Sequence, residues 1–86
     1  MTGKHHNWHR RWVVDLAACT ATHDSGLVVQ AVQNEAAGAM DYQPLNLDEW
    51  QNKMLPTMPL PNLVAHAKRL MREAVEVYQR EQQRRH

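Results

Sequence analysis

The stretch HHNWHRRWVVDLAACTATHDSGLVVQAVQNEAAGA, residues His5–Ala39, decides the fold. Taken at a 3.6-residue period, Trp8, Trp12, Val13, Leu16 and Thr20 fall on one side of a first helix over residues 5–21. Thr20, Thr22, Asp24, Ser25 and Gly26 compete with helical hydrogen bonding and end it in a turn. From about Ser25 a second run sets Val28, Ala31, Val32, Glu35, Ala36 and Ala39 on one face, with Asp24 or Ser25 as its N-cap and an end near Gly38. The alanines of that face let a neighbouring helix come close. No alternation of polarity competes with the helical period, so both runs are expected to be helices.

Downstream, Leu45-Asn46-Leu47-Asp48-Glu49-Trp50 is a helix start. Asn46 is placed to cap the first turn, Glu49 to reach back and Leu45 to pack on Trp50, while Asp48 and Glu49 suit the positive end of the helix dipole. This third helix begins at Leu47 and stops before Pro56. Pro56, Pro59 and Pro61 then hold a stiff extended segment carrying Met58 and Leu60, because each proline fixes its own φ and restricts the residue before it. A fourth, long helix runs from about Asn62 with a heptad-like seam of Leu63, Ala67, Leu70, Ala74 and Val77, widened by Val64, Met71 and Tyr78. Arg69 with Glu73, Arg72 with Glu76 and Glu81 with Arg85 stand four apart and are expected to pair on its solvent side. The expected architecture is all-α: a small bundle of three to four helices with a long C-terminal helix, one domain over residues 1–86, with 1–4 and 80–86 frayed or projecting.

The chain has 86 residues, too few for two cores, and its 43% apolar and 22% charged shares exclude a disordered composition. So thin a core makes dimerisation a natural supplement, here through the seam of residues 62–78. One cysteine, Cys19, excludes an intrachain disulfide, and neither a membrane-length apolar run nor a signal-like start is present, so a cytoplasmic protein away from membranes is expected. Net charge is only +1, yet residues 1–11 carry +3, residues 12–52 carry −6 and residues 53–86 carry +4. The ends are basic and the middle is acidic.

Chemistry is hard to place on these residues. His5 with His9, and Cys19 with His23, stand four apart, but on one continuous helix the two pairs are ~21 Å from each other and cannot share an ion. Cys19 reads as a small buried hydrophobe and the histidines as surface groups. Cys19 and His23 as nucleophile and base have no loop or pocket around them, and no phosphate-binding loop or nucleophile elbow occurs. Neither an enzyme, a metal site nor a cofactor is expected. His5, His6, Trp8, His9, Arg10, Arg11 and Trp12 mix cations with rings as nucleic-acid binders do, against a pI near 8.0 and the acidic middle. The expected function is a helical protein-binding module, an adaptor or inhibitor docking on a larger protein, of a kind common among bacterial, phage and mobile-element accessory proteins. Its candidate partner-binding residues are Arg10, Arg11, Met58, Leu60, Arg80, Arg84 and Arg85. Nucleic-acid binding through the basic ends is the alternative.

Overall fold

The structure, a computed structural model, describes residues 8–84. It corrects the all-α expectation at its root, because the stretch expected to form the first two helices is a four-stranded antiparallel meander. The strands β1 (Trp12–Asp15), β2 (Thr20–His23), β3 (Val28–Asn34) and β4 (Ala39–Pro44) stand in chain order. They are followed by α1 (Leu47–Met54), a 3-10 turn at Leu55–Thr57 and α2 (Leu60–Arg84). The fold is α+β, a sheet covered on one face by helices, and a helical bundle no longer describes it.

An alternation that the helical period concealed explains the sheet. Trp12 and Val14, Ala21 and His23, Val29 and Ala31 point inward, while Val13, Asp15, Thr20, Thr22, Gln30 and Val32 point out. Pairing joins these rows, with Trp12 opposite His23, Val14 opposite Ala21, Ala21 opposite Val29 and Ala31 opposite Tyr42. Seven β-branched residues in β1–β3 favour a pleated, half-buried surface. The alanine clusters Ala17-Ala18 and Ala36-Ala37, which look helical by propensity, occupy the exposed hairpin turns. Ala31 is buried opposite Tyr42, whereas Ala36 and Ala39 are exposed.

The seam of α2 is spent on this sheet. Leu63, Leu70, Ala74 and Val77 are buried with Trp12, Ala21, Leu27, Val29 and Trp50, and Ala67 and Met71 pack at the margin. Burial of a leucine or valine side chain is worth ~1.5–3 kcal/mol, so the stripe is the main adhesive between the layers. Leu63, Leu70, Ala74 and Val77 thus face the chain's own strands. The helix is unbroken to Arg84.

The third expected helix is present with the expected limits, although its entry is built differently. Asn46 makes no capping hydrogen bond. Its Oδ1 accepts from the Val28 main-chain N–H (3.0 Å) and its Nδ2 donates to the Gly26 carbonyl (2.9 Å), tying α1 to the β2–β3 turn. Gly26 sits at φ +105, which side-chain-bearing residues rarely adopt. Pro56 lies in the 3-10 turn, Met58 is extended, and α2 begins at Leu60 with Pro61 in its first turn.

Candidate functional site

Helix α2 is 25 residues long, about 37 Å at 1.5 Å per residue, and its two ends carry different surfaces. At its start the proline-bounded corner leaves Leu55, Leu60 and Val64 exposed at 43%, 55% and 41%. Leu60, Val64, Lys68 and Arg72 form one i, i+4 row, apolar for its first turn and cationic for its second. Lys68 and Arg72 are exposed, and no described carboxylate stands within salt-bridge distance of either. The expected Arg72–Glu76 and Arg69–Glu73 pairs do not form: Glu76 lies beside Arg80 (4.0 Å) and His9 (3.7 Å), and Arg69 donates to His66.

Towards its other end α2 passes the β1 side of the sheet. There Arg80 and Arg84 line a cleft of about 270 Å³ with His9, Trp12, Val14, Val77 and Glu81. Arg84 pairs with Glu81 at 3.3 Å and Arg11 pairs with Asp24 at 3.4 Å, while the expected Glu81–Arg85 pair falls outside the described residues. The structure therefore brings Arg80 and Arg84 to one cleft and leaves Arg11 beside Asp24 at another, with a carboxylate next to each of the three, while Arg10 is exposed at the start of the described residues. Met58 and Leu60 lie at the far end of α2. Arg85, like His5 and His6, falls outside the described residues.

A second cleft, about 360 Å³, opens between the β2–β3 turn and α2 and includes Trp8, His23, Ser25, His66, Arg69 and Glu73 among its walls. The expectation that the histidines are surface groups fails at His23, which is 6% exposed and stacks edge-on against Trp12. Trp50 Nε1 donates to Ser25 Oγ (2.9 Å), Ser25 Oγ lies 2.8 Å from His23 Nδ1, and the Ser25 main-chain N–H donates to the same nitrogen (3.2 Å). Nδ1 is thus the acceptor, and the ring proton sits on Nε2. Asp24 also approaches through Nδ1, at 3.3 Å, so the acid does not orient the imidazole from its far nitrogen as a catalytic triad requires. Burial holds His23 below its ordinary value of 6.5, outweighing the raising effect of Asp24 and Glu73, and burial followed by the Arg69 guanidinium lowers His66. The group acts as a clamp, with Trp12 Nε1 donating to Glu73 (3.1 Å) as its outer strut.

Cys19 and His23, four apart in the chain, lie at opposite ends of β2, and Cys19 is a half-buried turn residue at φ 59. Among the described residues no three histidine, cysteine or carboxylate side chains group to hold a metal ion, and no helix is long and apolar enough to cross a membrane. The row continuing through Lys68 and Arg72 went unnoticed in the sequence because Arg72 was assigned to a solvent-side pair with Glu76 and Lys68 to nothing; their spacing from Leu60 was the available signal. No family model, curated protein or solved structure matches the chain.

Proposed function

We propose that this chain is a non-enzymatic protein-docking domain, an adaptor or inhibitor whose contact surface is the row Leu60, Val64, Lys68 and Arg72 with Leu55 and Met58 at the shoulder. The observation that carries this reading is that row: exposed aliphatic side chains followed by cations without carboxylates, on a helix anchored firmly behind. Its partner is a protein segment presenting apolar side chains followed by acidic ones, since apolar burial supplies affinity and opposite charge supplies register and rate. A lone cysteine that needs no disulfide suits a reducing, cytoplasmic setting. Nucleic-acid binding is less well supported, because Arg11, Arg80 and Arg84 already have carboxylates beside them and offer little counterion release.

Cross-linking capture with the full chain, followed by titration of the purified captured protein, tests the reading. Leu60→Ser with Val64→Ser, and separately Lys68→Glu with Arg72→Glu, are each expected to weaken binding at least tenfold, while Arg10→Glu leaves it unchanged. Equal affinity for all of these chains would refute the assignment, as would salt-sensitive binding of mixed nucleic acid that Arg10→Glu abolishes.

A further inference from the structure

We propose that the cleft between the β2–β3 turn and α2 binds a small zwitterion, an α-amino acid with an apolar side chain, with its carboxylate on His23 and Arg69 and its ammonium on Glu73. None of these residues belongs to the docking row at the start of α2. At about 360 Å³ the cleft stands at the lower end of the range of small-molecule sites. Its most buried polar wall is His23, 6% exposed. The Ser25 main-chain N–H occupies Nδ1, the proton is therefore on Nε2, and the hydrogen bonds and ion pair of this ring all go to Nδ1. Among the described residues the sealed side-chain polar atom without a partner is the Tyr42 hydroxyl, so the Nε2–H is open to the cleft that His23 lines. There it can donate to a ligand oxygen.

Charge sets what the ligand must carry. Arg11, Arg69, Asp24 and Glu73 all line the cleft, two cations against two anions. Arg11 and Asp24 answer each other at 3.4 Å. Arg69 and Glu73 do not, although they stand four apart on α2, a spacing at which such charges can close. Each is held by another group: Arg69 Nη2 donates to His66 Nδ1 (2.6 Å), and Glu73 Oε1 accepts from Trp12 Nε1 (3.1 Å). The remaining guanidinium N–H groups and Glu73 Oε2 are left uncommitted among the described residues. An anion alone would be drawn to Arg69 and repelled by Glu73, and a cation the reverse. A molecule carrying both charges on neighbouring atoms satisfies both, since residues four apart on a helix are only ~6 Å apart along its axis. Because the two side chains are fixed before the ligand arrives, little ordering is needed on binding. Trp8, Met54 and Leu70 complete the wall and suit an aliphatic or aromatic side chain.

Titration of the full chain with L-leucine, followed by two-dimensional NMR, is expected to give saturable shifts at the Trp8 indole and at the Asp24 and Ser25 amides. Two analogues divide the head group: isocaproate lacks the ammonium and isoamylamine lacks the carboxylate, and each is expected to bind at least fivefold more weakly than leucine. Arg69→Gln weakens leucine at least fivefold and leaves isoamylamine unchanged. Glu73→Gln, whose amide oxygen still accepts from Trp12, weakens leucine by as much and does not weaken isocaproate. The analogue comparison on the parent chain stands whether or not either variant folds. Absence of saturable shifts in the cleft with leucine, methionine and phenylalanine alike at ~20 mM, where even a millimolar complex is nearly full, overturns the proposal. So does equal affinity for leucine and isocaproate, or leucine binding that neither variant weakens.

Discussion

His23 ties the polar interior to pH. Its proton affinity in the folded chain lies below the ordinary 6.5, as does that of His66, both because burial disfavours the cation. Above 6.5 both rings are neutral in either state and contribute no pH dependence. Below it the unfolded chain takes up protons first, so stability is lost as pH falls towards the folded values. Thermal unfolding followed from neutral to mildly acidic pH is expected to show a falling melting temperature, and His23→Gln is expected to flatten that slope. Tyr42 offers the opposite case. Its hydroxyl is buried with no well-formed hydrogen bond, near Gln79, and burial raises its pKa. Tyr42→Phe keeps the edge-on contact with Tyr78 and removes an unmatched polar group, so it is expected to leave stability unchanged or raise it by up to ~1 kcal/mol. A drop in denaturant midpoint would mean that the hydroxyl has a partner after all.

Elements are held together here by a few side chains acting where main-chain groups would otherwise lie unpaired. Asn46 serves both a Val28 N–H and a Gly26 carbonyl, which makes it the hinge pin between sheet and α1. Asn46→Ala is expected to cost ~1–3 kcal/mol in chemical denaturation, more than the loss of an ordinary exposed cap, because two partly buried groups lose their partner. At Gly26 an added Cβ would lie 3.3 Å from the movable Lys53 ammonium, so space is not the obstacle; the backbone at φ +105 is. Gly26→Ala is therefore expected to destabilise by ~1–3 kcal/mol through conformational strain, and Lys53→Ala should not rescue it. In α2, Leu63→Ala and Leu70→Ala are each expected to cost ~2–5 kcal/mol, since both side chains are fully enclosed between the layers.

At the scale of the whole molecule, the helices close one face of the sheet, leaving Val13 on the other face and the corner at Leu55–Val64 as two separate apolar exposures. The corner is stiffened by prolines and continues into Lys68 and Arg72, neither of which has a carboxylate within salt-bridge distance among the described residues.

The local reading succeeded where short-range physics decides the outcome. Leu47 starts a helix because acids follow at the positive end of its dipole, Pro56 limits it, and the Leu63–Val77 stripe is apolar at helical spacing wherever it is buried. Residues 12–44 were different. Trp12, Leu16 and Thr20 satisfy a helical spacing, Trp12, Val14, Ala21 and His23 satisfy a two-residue alternation, and an inward histidine hides the latter by looking polar. Isolated, the segment leaves both periods open, and the alanines of its turns tilt the balance to helix. What settled it is non-local: strands pair only with one another, and the α2 stripe needs a broad apolar floor that four strands supply. The same dependence hid Lys68, Arg72 and Val13, whose meaning rests on what stands next to them in space, because exposure and missing partners are properties of the folded surface.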